Sequence, residues 1–187
     1  MLNKERKKTG FLKRNFINTD SLLNHIKSLT LLKLLVYNEN IPGNRQFRNM
    51  DTLIKKFALQ HDLALEEARK AIEKKIERNR KINNRHEVYN SINGTIVIGS
   101  HDDTTPEHIE EAHTYGSTLA EMPTTIEAAR AAKEHNMWIC MSAANYMRGG
   151  STYGNLATHD ALSEHCVDIL WSAFQFAAMS ASFVKMV

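Results

Sequence analysis

Apolar and polar positions along this chain follow two periods. Short apolar runs of strand length fall at 31–37, 95–99, 117–121, 137–142 and 167–172. Between the last four lie stretches with helical spacing, at 106–114, 125–135 and 156–165, and a final one covers 177–187. In the second of these, Ile126, Ala129 and Ala132 fall on one face. Helix-start chemistry is explicit at 105–107, where Thr105 can cap, Pro106 suits the first turn and Glu107 follows. Strand, helix and strand in repetition predict an α/β fold with five parallel strands.

The long interval between the first two strands breaks the rhythm. Leu65, Ala68, Ile72 and Ile76 trace one apolar stripe, while Arg69, Lys70, Glu73, Lys74 and Glu77 face water. A shorter helix is predicted at 50–60. The pattern reads as a helical hairpin inserted over 48–86. Five parallel strands form either an open sheet or five-eighths of a (β/α)8 barrel. Either leaves open sheet edges, which predict a homo-oligomer.

The 187 residues suit one domain, read as a basic N-terminal tail over 1–18 and an α/β domain over 19–187. The apolar content of 42% and charged content of 24% place it with ordinary globular proteins. The net charge of +3 is small. Its basic clusters, 4–14 and 78–85, lack interleaved aromatics, so no nucleic-acid partner is expected. No apolar run is long enough to cross a bilayer, and none of leader type follows the basic N-terminus. Cys140 and Cys166 lie in apolar runs and read as free buried thiols. These features predict a cytoplasmic protein without membrane association. Trp138 and Trp171 are expected in the core, and His108 and His113 on the surface.

Four polar clusters follow strands. One spans 40–47 and contains Arg45. The second is His101-Asp102-Asp103-Thr104-Thr105, and the third runs from Glu121 to Thr125. The fourth contains Asn145, Arg148, Gly149, Gly150, Ser151 and Asn155. His101 can ligate a divalent cation, and Asp102 and Asp103 can ligate or move a proton. A structural alternative makes the two Asp turn and cap residues and His101 a satisfied strand-end histidine. Arg148 with Gly149 and Gly150 suits phosphate, although glycine-rich loops are also plain turns. His101, Asp102, Glu121, Asn145 and Arg148 are expected on one face, at the C-terminal ends of the strands.

Together the four clusters resemble the phosphonate-utilisation hydrolases of the carbon–phosphorus lyase pathway, within the amidohydrolase superfamily. The strings carrying the likeness are His101-Asp102-Asp103-Thr104-Thr105, Pro123-Thr124-Thr125-Ile126-Glu127-Ala128-Ala129-Arg130 and Arg148-Gly149-Gly150-Ser151. The resemblance implies the C-terminal part of a (β/α)8 barrel and a divalent metal, often zinc, with His101 as ligand and Asp102 and Asp103 as catalytic acids. It implies a phosphorylated ribose phosphonate as substrate, held by Arg45, Glu121, Asn145, Arg148, Gly149, Gly150, Ser151 and Asn155. The reaction it implies is attack of metal-bound water on a ribose 5-triphosphate, releasing pyrophosphate.

The sequence also departs from that pattern. Asn40 and Ile41 replace a His-Thr pair, Ala144 a Pro, Thr152 a His, and Ala173 the acid of the last strand. The early strand with its His-X-His pair is not found. These departures predict an impaired, truncated hydrolase, or a non-catalytic module that binds a phosphorylated sugar or a partner.

Overall fold

The computed structural model describes residues 10–14, 32–38, 45–47, 49–79, 90, 96–172 and 175–186. The predicted α/β architecture is present. The five expected strands are β2 (Leu32–Tyr37), β3 (Val97–His101), β4 (Ser117–Glu121), β5 (Trp138–Ser142) and β6 (Ile169–Trp171). All pair in parallel, each with its neighbour in the chain. A further strand, β1 (Gly10–Arg14), pairs with β2 at the sheet edge. It lies inside the stretch read as a basic tail. Its sequence, Gly-Phe-Leu-Lys-Arg, does not alternate, so periodicity had no strand to detect there.

The sheet order is β1-β2-β3-β4-β5-β6. A doubly wound sheet would reverse its order at a switch point. A strictly sequential parallel order is that of a (β/α)8 barrel opened along a seam. The sheet corresponds to part of such a barrel.

The helical elements are α1 (Met50–His61), α2 (Leu65–Asn79), α3 (Pro106–Thr114), α4 (Ile126–Glu134), α5 (Ala143–Arg148), α6 (Thr158–Ser163) and α7 (Phe176–Met186), with a 3-10 turn at Arg45–Phe47. Thr105 and Thr125 cap α3 and α4, accepting the N–H groups of His108 and Ala128. Ala128, Ala129 and Ala132 on α4 are fully buried, and their small side chains let the helix lie close to the sheet. They pack with Ile109, Ala120, Ile139 and Met141 in the main core. That cluster marks the helix side of the sheet.

Val36, Leu119 and Cys140, with Leu34 and Trp171, form a second cluster on the opposite face. Gly99 belongs there too. A Cβ on it would stand 3.1 Å from Val36 Cγ2 and 3.2 Å from Leu119 Cδ2, so the strands close over a missing side chain. Further down this face Val97, Trp138 and Ile169 are exposed, Trp138 by 60%. The expectation that Trp138 is a core residue is therefore corrected. It occupies a strand position of inward parity, but nothing among the described residues covers that end of the face.

The hairpin of α1 and α2 carries its own small core of Ile54, Ala58, Ala68 and Ile72. Met50 and Ile76 flank it, so the stripe read from the sequence meets its partner within the insertion. Residues 48 and 80–86 of that insertion lie outside the described residues. No helix among the described residues is long and apolar enough to cross a membrane.

Both cysteines are buried and free. Burial pushes the Cys166 thiol above its ordinary range, which lowers its thiolate fraction at any given pH. In a Cys140→Ser background, Cys166 is expected to react with a disulfide reagent several-fold more slowly in the folded chain than in urea. Equal rates would contradict the buried placement.

Candidate functional site

Two strand ends build the centre of the site in the same way. β3 ends at His101 and β4 at Glu121, and the two residues are register partners. Each strand is followed by a left-handed residue, Asp102 (φ 59°) and Met122 (φ 55°). Aspartate tolerates this conformation, whereas an unbranched apolar residue adopts it at a cost. The turn is held by one further bond at each end. Asp102 N–H donates to Glu121 O (3.0 Å) and Met122 N–H to Cys140 O (2.8 Å).

The loops beyond are joined to each other. Asp103 O accepts from the Thr124 backbone N–H at 2.7 Å. The Thr124 and Thr104 hydroxyls bond at 2.8 Å, and Thr125 Oγ1 donates to Thr104 O at 2.7 Å. Thr124 was not singled out in the sequence. The signal for it was the recurrence of Thr-Thr before both helices.

By strand alternation His101 and Glu121 share the face of Gly99 and Leu119. His101 Nδ1 lies 2.5 Å from Asp102 Oδ2, and Nε2 lies 3.7 Å from Glu121 Oε2. All three side chains are buried. The imidazole thus lies between two carboxylates, one at each ring nitrogen. Asp103 points elsewhere. Its carboxylate pairs with Arg45 Nη1, and both residues are almost fully buried. Arg45, expected as a phosphate ligand, directs its guanidinium onto Asp103, and Asp103, expected as a catalytic acid, is the carboxylate it meets. Their separation of 58 positions hid the pairing from any local reading.

Beside this buried cluster is an open cleft of about 240 Å³. Asp102, Thr124, Ser142, Asn145, Arg148, Ser151, Tyr153 and Asn155 line it. Asp102 thus faces both the buried cluster and the cleft, whereas Glu121, expected as a ligand-binding residue, belongs to the buried cluster alone. Arg148 is the last residue of α5 and is exposed. Among the described residues it has no ion-pair partner, and the one carboxylate lining the cleft, Asp102, is engaged by His101.

The remaining residues of the fourth cluster make these contacts within the protein. Gly149 is left-handed (φ 77°), and its N–H closes onto the carbonyls at the end of α5. Gly150 N–H donates to Asn145 O at 3.1 Å. Both amides therefore cap the helix and are not offered to an anion. Asn145 donates from Nδ2 to Leu156 O (3.2 Å) and accepts the Thr158 N–H at Oδ1 (2.9 Å). It holds the 156–158 segment rather than presenting a free amide. Thr158, fully buried, completes this support by donating to Ser142 O at 3.0 Å. Ser151 Oγ accepts the Tyr153 N–H at 3.2 Å, shaping the cleft loop.

The described residues do not form a zinc site. A catalytic zinc takes three protein ligands and an open position. Among the described residues no three His, Cys, Asp or Glu side chains gather in a way that could hold one. His101 Nδ1 and Asp102 are turned on each other, and Asp103 is taken by Arg45. Asn40 and Ile41, where the resemblance has a His-Thr pair, and Ala173, where it expects a ligand acid, lie outside the described residues.

Comparison with known proteins gives one finding of substance. No family model matches the chain, and no solved structure matches it. Among curated proteins, the α-D-ribose 1-methylphosphonate 5-triphosphate diphosphatase of Escherichia coli K12 is 44% identical over 84 residues. The chain resembles that diphosphatase. The match takes in 45% of this chain and 22% of the diphosphatase, so the chain spans about a fifth of the relative it matches. The likeness to the diphosphatase agrees with the resemblance carried by the strand-end clusters, and it supports a related function at that coarse level.

Proposed function

We propose that the chain binds a phosphorylated ribose phosphonate, the class of compound named in its relative, in the cleft beside Asp102, and that it does not hydrolyse that ligand by itself. The observation carrying this reading is Arg148. Arg148 borders the cleft without an ion-pair partner among the described residues, a setting that favours an oxyanion able to take two parallel hydrogen bonds. Ser151 and Asn155 stand on the same wall and suit sugar or phosphoryl oxygens. Asp102, fixed by His101, is placed to accept a ribose hydroxyl.

The buried cluster supports the reading without hydrolysis. Hydrolysis of an acid anhydride needs an activated water and a stabiliser of developing charge. Here His101 and Glu121 are buried, and the Asp103 carboxylate is closed off by Arg45.

Calorimetry with ribose 5-phosphate and with inorganic pyrophosphate tests the reading. Arg148→Gln is expected to weaken binding about ten- to a hundredfold, the loss of one charge-assisted contact. Equal affinity in the two proteins would remove Arg148 from the site. Pyrophosphate release from a ribose 5-triphosphate in the presence of zinc, lost in His101→Ala, would replace binding with hydrolysis as the function.

A further inference from the structure

The inserted hairpin reaches the cleft from outside. Lys56, on α1, donates from Nζ to the Thr152 carbonyl at 2.5 Å. The same ammonium stands 3.7 Å from the centroid of the Tyr153 ring. Phe47, in the 3-10 turn before α1, meets the Tyr153 ring edge-on at a centroid distance of 5.3 Å. Thr152 and Tyr153 are cleft-lining residues, four and five positions beyond Arg148. The other end of the 45–56 segment is anchored by the Arg45–Asp103 pair, next to Asp102. One segment therefore grips both walls of the cleft.

We infer that Lys56, with Phe47 and Tyr153, is a positioning group that straps the 151–155 loop and so sets the shape of the anion-binding cleft. This rests on the reading of the cleft as an anion site. The chemistry is specific to an ammonium. A lysine can donate to a carbonyl and lie over an aromatic face with the same charged head, which a neutral side chain cannot do. The hairpin is suited to this work because it has its own core. Ile54 and Ala58 lock α1 onto Ala68 and Ile72 of α2, so the base of Lys56 is held independently of the loop. Within the loop, Ser151 Oγ accepts the Tyr153 N–H, the Gly154 N–H meets Ser151 O at 3.4 Å, and Gly154, left-handed at φ 70°, turns the chain back. A side chain reaching such a loop from another element restrains its local opening.

The test uses the full chain, Lys56→Met, Lys56→Arg and, as a control on the same helix, Leu59→Ala, whose side chain is 84% exposed. Without any ligand, amide hydrogen exchange at residues 152–155 is expected to speed up about five- to tenfold in Lys56→Met and to stay unchanged in Leu59→Ala. Affinity for inorganic pyrophosphate is expected to fall by a similar factor in Lys56→Met and to return in Lys56→Arg. The loss should persist at high salt, where a through-space charge effect would be screened. Unchanged exchange in Lys56→Met overturns the strap. Faster exchange with unchanged affinity, while Arg148→Gln still weakens binding, overturns the positioning role and leaves the anion site standing. If the unaltered chain binds no pyrophosphate although exchange responds to Lys56→Met, the anion reading and the positioning role fail together.

Discussion

Arg45→Met is expected to destabilise the chain by about 3–5 kcal/mol, read as a lower urea midpoint with an unchanged slope. The reason is what it leaves behind. Asp103 is almost wholly buried, and its carboxylate faces the Arg45 guanidinium. Methionine fills much the same space but supplies no charge, so a buried carboxylate would stand without its counter-ion. Removing both partners is a different matter. In Arg45→Met with Asp103→Leu no charge is stranded, and most of the lost stability should return. If the double variant were no better than the single one, the pair would not be the source of the loss.

Ile139→Ala is expected to cost about 2–5 kcal/mol in the same measurement. Ile139 is fully buried in the main core, on the helix side of β5, among Ile109 and the alanines of α4. Those alanines have no side chain long enough to fill the space vacated, so the cavity would stay largely open. The Ile139 backbone is tied as well, its N–H donating to Asp168 Oδ2 at 2.8 Å and its carbonyl accepting the Asp168 N–H at 2.9 Å. The strand should therefore stay in place while its packing is lost. A loss below about 1 kcal/mol would mean that α4 settles onto the sheet, against its close alanine packing.

Much of the fold could be read from the chain because its signals are local. Thr105 with Pro106 announced α3, and the alanine-rich spacing after Thr125 announced α4. In both cases the cap is a short-range contact visible in a few residues. β1 could not be read, because an edge strand of five residues needs only a partner, not an alternating pattern. α5 was also hidden. Its last residue, Arg148, reads with Gly149 and Gly150 as a phosphate loop or a plain turn, and Gly149 is the helix cap.

The site was legible in its members and not in their pairings. His101, Asp102 and Glu121 stand together because strand ends of a parallel sheet share one side. Arg45 could not be recognised as a buried partner of Asp103, since nothing near it in the chain shows where its guanidinium turns. Lys56 sits on the shorter helix read at 50–60, and nothing near it in the chain shows what its ammonium meets. Its contact with Thr152 spans 96 positions.

The strand order has a consequence for how the chain assembles and how it can change. Every ladder joins strands adjacent in sequence, and from β3 to β6 the connections are short. Low contact order of this kind favours rapid formation of the 97–171 unit, with β2 added across a larger loop-closure cost. That cost grows only logarithmically, by about 0.6 kcal/mol for each doubling of the connection. A change in the length of the β2–β3 connection outside its two helices should therefore cost the fold little, so long as Lys56 still arrives over Tyr153.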